Sequence, residues 1–351
     1  MSIDTEIAQQ PEALRHAIAS ACDAAPAVAD AVRGRGITHV VIAARGTSDN
    51  AAVYAQYLWG RHLRLPVALT TPSLFAGDAP PRLDGALVVG VSQSGASPDL
   101  VAVLAEARRQ ARPTLAVTNV GDSPLAQHAD VVVDLAAGEE RAVAATKTYT
   151  SSLVALAVLT DALAEGLGGE WGGGEAVAVA GHLDGVAEAA AAVLEADPLT
   201  PPLLRLLEGR DRIAVVGRGL DLATAREWAL KLQELSGVLA HHWSTADFRH
   251  GPFALAADGL PVAVVSTDAG HADEARALVA DLVEAGADPL LVTDRPPREP
   301  RCEVVALPPA DPLCGPITAI VAAQLATVAL TRRRGRDADQ PALLSKVTLT
   351  R

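Results

Sequence analysis

The sequence predicts an α/β protein made of two tandem copies of one unit, each a doubly wound parallel sheet with helices on both faces. Three observations lead there. Short apolar runs alternate with long stretches rich in Ala, Leu and Glu. The runs are apolar throughout instead of alternating with polar residues, as strands covered on both faces require. The whole pattern then occurs a second time. A length of 351 residues suits two ordinary domains. Half the residues are hydrophobic and only 3% are aromatic, so the core must be built from Val, Leu, Ile and Ala.

In chain order, "HVVIAA" (39–44), "ALVVGV" (86–91), "PTLAVT" (113–118) and "DVVVDL" (130–135) read as strands. "SDNAAVYAQYLWGRHL", "SPDLVAVLAEARRQ" and "TKTYTSSLVALAVLTDALAEGL" read as the helices among them. In the second copy "DRIAVVGRGLDLATAREWALKL" mirrors "THVVIAARGTSDNAAVYAQYLW", with Arg218-Gly219 standing where Arg45-Gly46 stood. "PVAVVSTDAGHADEARALV" likewise mirrors "ALVVGVSQSGASPDLVAVL". Gly and Pro concentrate in "GLGGEWGGGEAV" and "ADPLTPPLL", which places the domains at 1–195 and 196–351.

A net charge of -13 repels nucleic acid and anionic membranes, since both demand basic surface. Three cysteines without a CxxC predict buried thiols in a reducing compartment. The polar, acidic start "MSIDTEIAQQPEALRH" does not read as a signal peptide, and "ITAIVAAQLATVAL" is too short for a membrane span. A cytoplasmic protein is expected.

The two copies differ at their strand ends. The first carries Thr47, Ser48, Ser92, Gln93, Ser94 and Ser97; the second offers Leu220, Asp221, Ser266, Thr267 and Asp268. In an open parallel sheet, ligands bind beyond the carboxyl ends of the strands, where helix N-termini present N–H groups. Hydroxyls there can cap the helix or donate to phosphate oxygens, and Gly95 lets the backbone come close. "SQSGAS" therefore reads as a cradle for a monophosphate. No Walker lysine is present for a nucleoside triphosphate, and "GRGLDLA" matches GxGxxG poorly.

The stretches "EIAQQPEAL", "RGTSDNA", "SQSGASPD", "AGEERAVAATKTYTSSL", "EWALKLQELS", "DFRHGPFAL" and "PALLSKVTLT" resemble the sugar isomerase (SIS) domain family over nearly the whole chain. Within that family the sequence is similar to its tandem-domain phosphosugar enzymes, the isomerase half of glucosamine-6-phosphate synthase and SIS-type glucosamine-6-phosphate deaminases. The resemblance implies a small phosphosugar ligand, no cofactor, no metal and a homodimer. It implies that Glu234 moves a proton between C1 and C2, and that Lys231, three residues earlier on one helix face, supports it or the open-chain oxygens. It implies that His250 opens the sugar ring, in relatives from the partner subunit, and that Lys346 folds over the open chain. Val143 matches a position whose backbone contacts the sugar. Ala145 stands where synthase-like relatives have a serine.

Three outcomes fit these residues. The first is deamination or aldose–ketose isomerisation of an amino-sugar 6-phosphate. The second is dehydration of the N-acetylated sugar phosphate by the same base, with His241 or His242 of "AHHW" supplying an acid; those two imidazoles also raise a metal pair. The third is a phosphosugar sensor without catalysis.

Overall fold

The computed structural model describes residues 2–75, 77–168 and 179–346. The segment 169–178, which holds most of the Gly-rich junction, and the end of the tail at 347–351 lie outside the described residues. The chain forms two compact units. One comprises Glu12–Glu140, Lys147–Gly181 and Ser345–Arg351; the other comprises Met1–Pro11, Arg141–Thr146 and His182–Leu344. Elements are numbered along the chain.

The first unit carries strands β1 (His39–Ala43), β2 (Val67–Leu69), β3 (Ala86–Ser92), β4 (Thr114–Thr118) and β5 (Val131–Asp134). They lie parallel in the order β2-β1-β3-β4-β5. Central β3 and β4 are buried at every position, as their unbroken apolar runs require, whereas edge strand β5 is not. Helices α3 (Thr47–His62) and α4 (Pro98–Arg109) follow β1 and β3, and α5 (Lys147–Gly166) packs against α3. The Trp59 indole N–H donates to the Leu156 carbonyl at 3.2 Å, which satisfies the polar edge of a fully buried ring. Helix α2 (Gln10–Val32) carries Cys22 on its exposed side, contrary to the expectation of buried thiols; of the other two, Cys314 is buried and Cys302 partly so.

The second unit repeats the winding with β6 (Arg212–Gly217), β7 (Leu239–Ser244), β8 (Val262–Ser266), β9 (Leu290–Thr293) and β10 (Glu303–Ala306). Its order, β10-β9-β8-β6-β7, is that of the first sheet read from the other edge. Helices α8 (Asp221–Lys231) and α11 (Ala272–Glu284) follow β6 and β8. Helix α12 (Gly315–Arg333) is longer than its sequence run predicts and apolar enough to cross a membrane, but 83% of that stretch is buried inside the protein. It packs on α6 (Val186–Ala196), α7 (Thr200–Leu206) and α8 as a core helix. The short helix α1 (Ile3–Ala8) also belongs here, its Asp4 paired with Arg332.

Strands β2, β7 and β10 were not predicted. The first and last are only three and four residues long. The segment "LAHHWS" reads as helix or loop by itself; pairing with β6 from Arg212–Leu239 to Gly217–Ser244 makes it a strand.

Candidate functional site

In the first sheet the chain winds one way from β1 to β2 and the other way from β3 onward, so the crevice opens at the carboxyl ends of β1 and β3. Both hydroxyl-rich stretches lie there. Gly46, at φ 54°, turns the chain from β1 into α3, whose first residues are Thr47 and Ser48. Open space surrounds the position a Cβ on Gly46 would take. From β3 the chain runs through Gln93 to Ser97 before α4 begins.

The serines serve the loop and not the helix. The Ser92 hydroxyl accepts from the Gly95 amide at 3.1 Å, and the Ser94 hydroxyl accepts from the Ala96 amide at 3.3 Å. Ser97 sits at the N-cap of α4 yet makes no capping hydrogen bond. Among the described residues nothing accepts from the amides of Gln93 and Ser94, and the Ser48 and Ser97 hydroxyls have no partner. Two amides and two hydroxyls thus remain for an oxyanion at a switch point. Gly95, at φ 59°, is required by packing: a Cβ there would lie 2.1 Å from the Ser123 hydroxyl oxygen. Arg45 ties the two loops together, its Nε donating to the buried Asp99 carboxylate at 2.9 Å.

Beside the cradle is a cavity of about 440 Å³ lined by Gln93, Asn119, Asp134, Gly138, Glu139 and Glu140. Of the cradle residues it touches only Gln93. Glu140, fully buried at its side chain, accepts from the Thr148 amide at 3.1 Å and hydroxyl at 2.7 Å, and from the Lys346 ammonium at 2.7 Å. The tail lysine is thereby anchored in the first unit.

In the second unit, Lys231 ends α8 and Glu234 lies in a single π-helical turn, Leu232–Ser236. Such turns recur at functional sites because they shift side-chain register. The Ser236 hydroxyl donates back to the Leu232 carbonyl at 2.6 Å, and Gly237 ends the turn in a left-handed conformation. Lys231, with 1% of its side chain exposed, donates to Glu234 and lies 3.4 Å from the fully buried Glu227. A pair that i,i+3 spacing alone would leave on a solvated surface is therefore internal. Burial alone would depress the Lys231 ammonium, but the carboxylates of Glu227 and Glu234 outweigh it and hold it above the ordinary lysine range. Glu234 keeps 24% of its side chain exposed and can meet a ligand.

His250 caps the end of the short helix α9 (Thr245–Arg249) in an exposed turn, and its imidazole makes no hydrogen bond among the described residues. Val143 and Ala145 are half-buried in the segment Arg141–Thr146. That segment is held by Glu6, a carboxylate with 0% exposure that accepts from the Arg141 amide at 2.6 Å and from Ala142 at 3.2 Å. His241 and His242 stack at 5.3 Å between ring centroids. Burial, with Arg226 and His241 nearby, lowers His242 to about 4, so its ring is neutral near pH 7. No group of three His, Cys, Asp or Glu among the described residues is placed to hold a metal ion.

Two parallel five-stranded sheets of one winding, each with its own switch point, define a tandem doubly wound α/β protein. The SIS domain model matches residues 35–162 and 206–331, and the chain belongs to that family. It is 33% identical to the glutamine--fructose-6-phosphate aminotransferase [isomerizing] of Symbiobacterium thermophilum over 351 residues, 97% of this chain and 58% of that protein. The chain thus spans little more than half the length of such relatives. Among solved structures it is similar to a protein of Silicibacter pomeroyi DSS-3 assigned as a phosphosugar isomerase, with 31% identity, a TM-score of 0.86, and coverage of 97% of this chain and 100% of that one. It is also similar to the C-terminal domain of glucosamine-fructose-6-phosphate aminotransferase from Francisella tularensis, with 26% identity, a TM-score of 0.85, and coverage of 96% and 97%.

Sequence reasoning missed Glu227 and Glu140 as partners of Lys231 and Lys346, and missed Asp99 and Glu6, which hold Arg45 and the segment Arg141–Thr146. Glu227 had a signal in its i,i+4 spacing to Lys231. Glu140 and Glu6 had none, since their partners lie far along the chain.

Proposed function

We propose that the chain is a cytoplasmic phosphosugar enzyme that moves a proton between C1 and C2 of an amino-sugar 6-phosphate, ending in deamination or in aldose–ketose isomerisation. The observation that supports it most is the pair of unused amides, Gln93 and Ser94, with the Ser48 and Ser97 hydroxyls at the first sheet's switch point. A phosphate monoester supplies the acceptors that these donors lack. Thr47, Ser92 and the Gln93 side chain complete the phosphate-binding set, and Val143 and Ala145 contact the sugar.

Glu234 is the base. Its carboxylate takes the proton from one carbon of the open-chain sugar and returns it to the neighbouring carbon. Lys231 is the positioning residue that orients this carboxylate, and its own charge is balanced by Glu227. Lys346 stabilises the oxygen of the enediolate-like intermediate, and His250 shuttles the ring-opening proton. The chain works as a homodimer in which His250 serves the sugar held by the other copy. Dehydration has less support from His242, one of the two imidazoles of "AHHW" that could supply the acid, because a ring lowered to about 4 is little protonated at neutral pH.

A panel of hexose and amino-hexose 6-phosphates, with the unphosphorylated sugars as controls, tests the reading. Thermal shift is measured first and product mass second. Glucosamine 6-phosphate is expected to stabilise the protein and to give either ammonia or an isomer of unchanged mass. Stabilisation by the unphosphorylated sugars to the same extent, or no turnover of any 6-phosphate at millimolar concentration, would overturn it.

A further inference from the structure

The second sheet has a switch point of its own, at the carboxyl ends of β6 and β8, and the two switch points correspond residue by residue. Gly46 and Gly219 share a positive φ, 54° and 62°. Two residues on, the Ser48 amide donates to the Arg45 carbonyl at 3.1 Å and the Asp221 amide donates to the Arg218 carbonyl at 3.1 Å. Asp221 therefore stands where Ser48 stands. Counting from the strand ends Ser92 and Ser266, Thr267 matches Gln93 and Asp268 matches Ser94. Even the staple recurs, as Arg45–Asp99 in one copy and Arg218–Glu274, at 3.2 Å, in the other.

The contents of the two crevices differ. In the first, the amides of Gln93 and Ser94 donate to nothing among the described residues. In the second, the matching amides of Thr267 and Asp268 both donate to the Asp221 carboxylate, at 2.7 and 2.8 Å, and the Thr267 hydroxyl joins them. Asp268 accepts in turn from the Leu220 amide at 3.1 Å and the Gly270 amide at 3.1 Å. Asp221 and Asp268 are each 2% exposed. Where space is open above Gly46, a Cβ on Gly219 would meet the Asp268 carboxylate at 2.3 Å and the His271 ring at 2.4 Å.

We infer that the second switch point is a phosphate site that the chain occupies with its own carboxylates, Asp221 and Asp268, so that each chain takes one phosphate monoester and not two. This rests on the phosphosugar reading above. The residue two after the switch-point glycine then decides the outcome: serine leaves two amides to an external oxyanion, and aspartate supplies the oxyanion internally. The carboxylate also marks, by correspondence, where phosphate oxygens sit in the first cradle, against the amides of Gln93 and Ser94.

Reciprocal exchange tests this, with inorganic phosphate and glucosamine 6-phosphate as probes in titration calorimetry. Wild type is expected to take one equivalent, and Ser48→Asp, which closes the first cradle from within, to lose at least about tenfold in affinity. On that background Asp221→Ser with Asp268→Ser is expected to restore one equivalent of phosphate. If that variant is folded by circular dichroism and takes no more phosphate than its Ser48→Asp parent, the inference fails. If it unfolds in phosphate-free buffer, recovery of the fold on adding phosphate supports the inference, and no recovery while the parent stays folded overturns it. A wild-type chain that ignores phosphate would defeat the phosphosugar reading alone, since the comparison of variant with parent still decides the closed site.

Discussion

Asp221 is a carboxylate with 2% exposure that persists because two amides and a hydroxyl converge on it. Burial nevertheless pushes it up to about 6, outweighing the hydrogen bonds from Asp268 and Thr267. An acid whose folded value lies above its ordinary 3.8 is protonated more readily in the folded chain. Its contribution to stability is complete below about pH 4 and is lost as pH rises through about 6, by about 3 kcal/mol. Denaturant unfolding of wild type and Asp221→Asn across that range should show the difference between them shifting in favour of the variant as pH rises. A difference independent of pH would contradict the assignment. The residue scale is also where the sequence was read unevenly. Lys231 and Glu234 were legible because three residues on a helix bring side chains together. Their burial was not, since the 1% exposure of Lys231 comes from packing that periodicity cannot express. The Lys346–Glu140 contact joins residues 206 positions apart, and no local pattern announces it.

At the scale of elements, the loop from Ser92 to Ser97 shows what a correct motif leaves unsaid. The hydroxyls and the glycine were visible, but the sequence did not tell whether the serines cap α4 or tie the loop. The structure assigns Ser92 and Ser94 to the loop's own amides, which leaves the preceding two amides unused. Gly95 was expected to let a ligand come close; its missing Cβ also makes room for Ser123, on the β4–β5 connection. Gly95→Ala is therefore expected to cost about 2 kcal/mol or more, from both the left-handed backbone and the collision. It should weaken phosphosugar binding as well, because the cradle amides move with the turn. Chemical denaturation and titration calorimetry on one preparation check both, and a variant with wild-type stability would refute the packing argument. The strands β1, β3, β4 and β5 were legible as apolar runs, whereas β7 was not, because two histidines and a tryptophan make a strand only once β6 pairs with them. The π-helical turn after Lys231 left no mark in "LKLQELS" either, since its residues favour an ordinary helix.

For the molecule as a whole, the duplication was the most legible feature, because repeated strand ends survive as repeated sequence. One winding occurs twice, and the difference between the copies lies in a handful of residues at the strand ends. Serines and unused amides stand in one copy and internal carboxylates in the other, which under the proposed function leaves a single place for a phosphate ester. Which unit each segment joins was harder to read: Met1–Pro11 and Arg141–Thr146 belong with the second sheet, tied by Glu6 through hydrogen bonds that span 135 residues. The central claim of the proposed function is that the Glu234 carboxylate moves a carbon-bound proton of a sugar phosphate. Nuclear magnetic resonance in heavy water tests it most directly, with glucosamine 6-phosphate and fructose 6-phosphate as substrates. Wild type is expected to bring solvent deuterium to C1 or C2, and Glu234→Gln to slow that exchange by about 10²- to 10⁴-fold while still binding the sugar phosphate. Exchange at the wild-type rate in Glu234→Gln, or none in wild type with either sugar, would contradict it.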